Sequence, residues 1–271
     1  MVAPPREELD LLDAGAVRRA LADAGPDRVF HLGALASVGR SWEQARATLV
    51  GNVEMTLNVL EAVGAETPTA RVLHAGSGEI YGRPKRLPVD EDAPLRPQNP
   101  YATSKAASDL LAGQYTDANG LQVVRTRAFN HAGPGQSDDY VLGTITRQVA
   151  EAEARGAEEV VLRTGNPDAR RDFTDVRDVV RAYVAAIDLE PGVYNVASGR
   201  TASVRELIGL LESVTRLRIQ HGIDPERVRP NDVPEVRGSA ERLREAAGWQ
   251  PELPLERTIA DALDAWRVEL Q

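Results

Sequence analysis

Five short apolar runs, each closing on small or polar residues, recur along the chain with room for one helix between most neighbours. They read "RVFHLGA" (28–34), "ARVLHAGS" (70–77), "LQVVRTRAF" (121–129), "EVVLRTG" (159–165) and "GVYNVAS" (192–198). A continuous apolar run of this length is what a strand buried on both faces requires. Between the runs lie helical patterns at 14–24, about 42–64, 100–118 and 138–155. Strands alternating with helices predict an α/β fold with a parallel sheet covered on both faces. Ligands in such sheets bind outside the carboxyl ends of the strands. The residues placed there are Gly33 and Ala34, then Gly76, Ser77, Gly78 and Glu79, then Asn130 and His131, then Gly165 and Asn166.

From about residue 160 the pattern changes. Helices near 176–189, 202–215, 239–247 and 255–269 mix with Pro- and Arg-rich loops such as 224–238. The expected division is a nucleotide-binding part over 1–160 and a smaller C-terminal substrate-binding lobe, mainly 161–271, with an interleaved boundary. The Pro-rich stretch 84–100 reads as a surface loop.

Composition narrows the function. A net charge of −9 argues against a nucleic-acid footprint. The chain has no cysteine, hence no disulfide, thiolate metal site or Cys nucleophile. No apolar run approaches the ~20 residues of a membrane span. The start, "MVAPPREELD", lacks the pattern of a signal peptide. A cytoplasmic protein is expected. The four histidines, His31, His74, His131 and His221, show no metal-ligand spacing, and no metal is expected. No G-x-S-x-G marks a serine hydrolase.

Of 32 Lys plus Arg, only Lys85 and Lys105 are lysines. Lys105 stands four residues after Tyr101 in a helical segment, so the two share a face. A lysine charge near a phenol favours the phenolate and lowers its pKa from ~10. Such a tyrosine can exchange a proton with a hydroxyl or carbonyl oxygen. Taken alone, Y-x-x-x-K is more often a solvated helix face. Its context, about 24 residues after a strand ending in Ser77, adds weight. A Ser77 hydroxyl could bond the oxygen that Tyr101 protonates, or simply cap a turn. Glu79 could act as a base or bind sugar hydroxyls, or lie on the surface.

"HLGALASVGRSWEQARATLVGNVEMTLNVLEA", "LHAGSGEIYG", "NPYATSKAASD" and "RAFNHAGPGQ" occur in order. Together they resemble the extended short-chain dehydrogenase/reductases, which act on nucleotide sugars. "RAFNHAGPGQSDDYV", "GNPDARRDFTDVRDVVRAY", "DPERVRPNDVP" and "GWQPELPLERTI" are most similar to the GDP-6-deoxy-4-keto-mannose reductases. The GDP-mannose 4,6-dehydratases are the sister family. The resemblance implies a Rossmann-like fold and a Ser77, Tyr101 and Lys105 triad. Tyr101 would protonate O4 of the keto sugar as hydride arrives from NADPH, and Lys105 would hold the nicotinamide ribose. The cofactor implied is NADP(H), with NAD(H) left open. Asp10 and Leu11 match an adenine-contacting turn. Leu32, Gly33 and Ala34 match a turn beside the cofactor, and His131 a residue near the nicotinamide. Asn52 matches an Asn behind the active site. Asn130 matches a substrate contact, Arg171 and Arg229 the pair that grips the diphosphate, and Asp232 an acid on a ribose. The implied reaction is NADPH-dependent reduction of GDP-4-keto-6-deoxy-mannose to GDP-rhamnose. The alternative is the 4,6-dehydratase reaction. That reaction needs an acid as well as a base beside the Ser, and Gly78 has no side chain to serve as the acid. A homodimer through the helices at 42–64 and 100–118 is also implied.

The family's glycine-rich G-x-x-G-x-x-G turn does not occur in this sequence. That turn seats the cofactor pyrophosphate on a helix N-terminus. The chain begins at what resembles the third strand, near 8–11. The expectation is therefore an N-terminally truncated Rossmann-like sheet, with Met1 an internal start. A second alternative follows, a catalytically incomplete fragment that binds the GDP-sugar without NADPH.

Overall fold

The computed structural model describes residues 2–227 and 233–271. Its first half alternates as expected: α1 (Ala14–Ala24), β1 (Arg28–His31), α2 (Val38–Glu43), α3 (Ala45–Glu66), β2 (Arg71–Ser77), α4 (Pro100–Asn119), β3 (Gln122–Ala128) and the short β4 (Asn130–Ala132). There follow α5 (Val141–Ala154), β5 (Glu159–Thr164), β6 (Arg170–Asp175), α6 (Val176–Ala186), β7 (Gly192–Val196), β8 (Thr201–Ser203), α7 (Val204–Glu212), β9 (Arg218–Ile223), β10 (Glu235–Val236), α8 (Glu241–Ala247) and α9 (Leu255–Glu269).

The strands β1-β2-β3-β7 form a parallel sheet, with Val72 opposite Val123 and Ser77 opposite Ala128. Successive side chains leave opposite faces. Val72 and Val123 therefore pack under α1 and α3 with Val17, Leu60 and Val63. Leu73 and Val124 pack on the other face with Val179, Ala182, Leu243 and Trp249. Each fully buried aliphatic side chain contributes roughly 1.5–3 kcal/mol. The C-terminal elements gather around Ile145, Leu162, Leu207, Leu211 and Ile259.

Local signals explain the ends of α4. The Asn99 side chain accepts a 2.7 Å bond from the Ala102 amide, Pro100 opens the helix, and Gly120 closes it at φ 73°. An amide cap, a proline without an N–H and a left-handed glycine are the residues those positions favour.

Four expectations change. Residues 8–11 form turns rather than a strand. The helix expected at 42–64 is two, because Gln44 leaves helical geometry at φ −122°, ψ 41°. β5 does not join the main sheet but pairs with β9. Its exposure alternates along its length, so one face is wet and one packs on the core. β6 was not foreseen, because "RRDFTD" carries charges where a strand signal needs apolar residues. Its buried Asp172 and Asp175 spend those charges internally. Asp172 accepts from the amides of Ser198, Gly199 and Gly238 at 2.8–3.1 Å, and Asp175 caps α6. No described helix is long and apolar enough to cross a membrane.

Candidate active site

β2 delivers Ser77 to the carboxyl edge of the sheet, and the chain then turns through a 3-10 segment, Gly78–Tyr81. The Ser77 hydroxyl accepts from the Glu79 amide at 3.2 Å. α4 brings Tyr101 to the same place, and the Ser77 and Tyr101 side chains are hydrogen-bonded. Asn99 joins the two elements. It caps α4 and donates from Nδ2 to the Glu79 carboxylate at 3.4 Å.

The electrostatics of the pair differ from the simple expectation. Burial pushes the Tyr101 phenol up, the bond from Ser77 only partly offsets this, and the Glu79 charge adds to it. Desolvation penalises a buried phenolate more than the Ser77 hydrogen bond relieves it. Tyr101 therefore rests as a phenol with its proton in place, which suits a proton donor. Lys105 is 5% exposed, and burial pushes its ammonium down to about 8, with Asp109 acting in the opposite sense.

Behind them, Asn52 of α3 is 2% exposed. Its Oδ1 accepts from the Leu35 amide at 2.7 Å, and its Nδ2 donates to the Leu35 carbonyl at 3.2 Å and to Ser104 Oγ at 2.8 Å. Ser104 in turn donates to the Tyr101 carbonyl at 2.7 Å. One amide thus ties the loop after β1 to the turn that carries Tyr101. Asn52→Ala is expected to cost about 1–3 kcal/mol, because the Leu35 groups lose their partners. A urea midpoint lowered at constant slope is the check.

Ser77, Glu79, Tyr101, Asn130, His131 and Arg171 all line one cavity of about 580 Å³ at the strand ends. His131 Nδ1 meets the Phe129 carbonyl at 3.2 Å, and burial pushes its pKa down. Arg171, on β6, donates to the carbonyls of Arg170 and Val233 at 2.9 and 2.7 Å. Arg229 and Asp232 lie outside the described residues.

The remaining predicted residues gather on a neighbouring shelf. Asp10 orders its own turn by accepting from the Leu12 amide at 3.0 Å, and the Leu11 carbonyl accepts from Asn58 at 2.9 Å. A side chain on Gly33 would come within 2.5 Å of Leu11, so glycine lets the two turns touch. Leu32 is 57% exposed and Ala34 half-buried beside it. Ala36, two residues on, already lines the cavity, so shelf and cavity are continuous.

Three features escaped the sequence. Tyr140 lines the cavity, and its phenol contributes to the electrostatics of Tyr101. Phe129 packs on Gly78 so closely that a Cβ there would lie 3.0 Å from the ring. Under α4, Asp109 and Arg127 form a buried bidentate pair with bonds of 2.9 and 3.0 Å. The available clue to this pair was the charged "RTR" inside an otherwise apolar run.

The comparisons with known proteins agree with this fold. The family model for GDP-mannose 4,6 dehydratase matches residues 6–262. The chain is 37% identical over 245 residues to a GDP-6-deoxy-D-mannose reductase from Pseudomonas aeruginosa, covering 89% of this chain and 80% of that protein. It is 27% identical to a GDP-mannose 4,6-dehydratase from Yersinia enterocolitica, covering 93% of this chain and 76% of that protein. The structure of RMD from Pseudomonas aeruginosa complexed with NADPH superposes with a TM-score of 0.91 at 34% identity, covering 99% of this chain and 90% of that one. A UDP-glucose 4-epimerase from Thermotoga maritima with UDP-glucose gives 0.88 at 26% identity, covering 97% and 84%. With a Ser–Tyr pair at the sheet edge and a match spanning nearly its whole length, the chain belongs to the GDP-mannose 4,6 dehydratase family.

Proposed function

We propose that the chain reduces the C4 ketone of GDP-4-keto-6-deoxy-mannose to GDP-rhamnose (GDP-6-deoxy-D-mannose), with NADPH as the hydride donor. The observation that carries this reading is the Ser77–Tyr101 pair in the lining of the cavity, its tyrosine held protonated by burial. The reductase relative supplies the substrate class.

The donor set fits the nicotinamide-ribose end of a dinucleotide. Lys105 and Tyr101 would hold that ribose, His131 would lie near the nicotinamide, and the shelf of Asp10, Leu11, Leu32, Gly33 and Ala34 would carry the adenosine side. Asn52 holds the loop between shelf and cavity. A bound nicotinamide supplies the hydride for the ketone carbon. The chain supplies the rest. Ser77 and Tyr101 donate hydrogen bonds to O4 and polarise the ketone, and Tyr101 then gives its proton to the developing alkoxide. Positioned proton transfer of this kind contributes about 10²–10⁴-fold. Arg171, with Arg229, would bind the diphosphate, where a guanidinium fork matches phosphate geometry. Asn130 would contact the sugar and Asp232 a ribose.

Gly78 supports reduction over dehydration. Dehydration must expel a C6 hydroxyl and needs an acid beside the base. Phe129 fills the space a side chain at 78 would occupy, leaving Glu79 as the carboxylate of the turn. Steady-state kinetics test the reading. Nicotinamide oxidation is expected with the 4-keto sugar and not with GDP-mannose, and NADPH is expected to be preferred over NADH.

A cytoplasmic homodimer goes with this proposal. Trp42, Leu49, Val50 and Leu110 are 38–63% exposed on α2, α3 and α4, an apolar face suited to a second copy. Trp42→Glu with Leu110→Glu is expected to give a monomer by light scattering while the fold's circular dichroism persists. A mass that stays unchanged between parent and variant would contradict the interface.

A further inference from the structure

Beneath the helix carrying Tyr101 and Lys105, the sheet presents a row of basic side chains. Register places His31 beside His74 and His74 beside Arg125, across β1, β2 and β3. Arg127 follows two residues later on the same face. Both imidazoles are buried, with ring centroids 5.5 Å apart. Burial, then Lys105, pushes His31 down to about 3, and the same two causes hold His74 well below its usual value. At neutral pH both rings are uncharged. Their side of the sheet offers Lys105 no compensating charge.

Asp109 does. It lies one turn beyond Lys105 on α4, where i and i+4 share a face, and its side chain is 0% exposed. Its Oδ1 accepts from Arg127 Nη2 at 2.9 Å and from Arg125 Nη1 at 3.3 Å, and its Oδ2 accepts from Arg127 Nε at 3.0 Å. The other groups around this face are Tyr101 on α4 itself, Glu79 and Tyr81 on the 3-10 turn, and Glu91 of the loop before α4, whose carbonyl takes Arg127 at 3.2 Å. α3 turns Thr48, Asn52, Met55 and Thr56 inward and α2 turns Ser41, none of them titratable.

We propose that Asp109 is a positioning residue for Lys105: its carboxylate, shared with Arg125 and Arg127, keeps the buried Lys105 ammonium charged beneath the reacting tyrosine. This rests on the role given to Lys105 in the proposed reduction. The sign follows from charge alone. A nearby anion favours the charged form of an amine, and a nearby cation disfavours it. Asp109→Asn removes the anion, so Lys105 loses its proton at lower pH. Arg125→Gln removes a competing cation and frees part of the carboxylate, so Lys105 keeps its proton to higher pH. An Asp109 that only held Arg125 and Arg127 in place, too far from Lys105 to act on its charge, predicts an unmoved Lys105 midpoint in Asp109→Asn.

The chain has two lysines, which makes the measurement direct. Lysine labelled with carbon-13 at Cε gives two signals whose shifts follow ionisation, and exposed Lys85 serves as the internal reference. The experiment uses the free protein, without cofactor or substrate. Lys105 is expected to titrate below the usual lysine range, to move down by at least about one further pH unit in Asp109→Asn, and to move up in Arg125→Gln. A Lys105 midpoint unmoved in both variants would overturn the proposal. Should Asp109→Asn fail to fold, it is read on an Arg125→Gln background, which removes one of the arginines left unpaired: a Lys105 midpoint lower than in Arg125→Gln alone supports the coupling and an unmoved midpoint overturns it. A chain that titrates as expected yet reduces no ketone counts against the proposed reaction and leaves the coupling standing.

Discussion

Tyr101→Phe is expected to lower kcat for ketone reduction about a thousandfold, within the usual range for a positioned proton donor. The phenol keeps its proton because burial opposes ionisation, and it is hydrogen-bonded with Ser77 in the cavity lining. Removing the hydroxyl takes away that donor and one of two hydrogen bonds to O4. The ring stays, so packing and KM should change little. The kinetic signature is a matched fall in kcat and kcat/KM, which marks an interaction made in the transition state. A fall confined to KM would show that Tyr101 binds substrate without taking part in proton transfer. Ser77→Ala should cost less, because Tyr101 still supplies the proton.

The second large effect is on stability. Arg127→Ala is expected to destabilise the fold by about 3–5 kcal/mol, the cost of breaking a buried pair by removing one partner, with Arg125 left as the remaining hydrogen-bonded cation on Asp109. Asp109 is 0% exposed and would lose its bidentate partner. Two further groups lose a donor. The Tyr81 hydroxyl receives Arg127 at 3.0 Å and passes its own proton to Asn195 at 2.7 Å, and the Glu91 carbonyl receives Arg127 at 3.2 Å. The network joins α4, β3, the turn after Ser77 and β7, so its loss reaches the catalytic turn. Against a total of about 5–15 kcal/mol for a domain, the variant stands near the edge of folding. Urea unfolding should show the midpoint falling at constant slope. A loss below about 1 kcal/mol would mean that solvent or a neighbouring cation replaces Arg127.

Much of this architecture was readable from residues alone, for a physical reason. β2 and β3 are buried on both faces, so their runs are mainly apolar and their ends fall where expected. β5 and β6 were misread or missed because each answers to something other than two-sided burial. One has a wet face, and the other carries aspartates that organise loops. Strand-end position marked Ser77, Asn130 and His131, the spacing to Lys105 marked Tyr101, and the family resemblance marked Arg171; the fold brings all five to one cavity. The i, i+4 spacing could not show the sign of the Tyr101 shift. Spacing reports which charges are near, whereas burial depends on what the rest of the chain packs around the helix. The same limit hid Asp109, whose partners come from a strand 16 and 18 residues away.

Transfer of deuterium tests the proposed reaction most directly. The chain would be given GDP-4-keto-6-deoxy-mannose and NADPH carrying deuterium on the reactive face of its nicotinamide, and the sugar product examined by proton NMR. The account predicts GDP-6-deoxy-D-mannose with deuterium at C4 and one nicotinamide oxidised per sugar formed. A sugar that stays a ketone while the protein binds GDP, or GDP-mannose converted to the keto sugar without net oxidation of the nicotinamide, would contradict it.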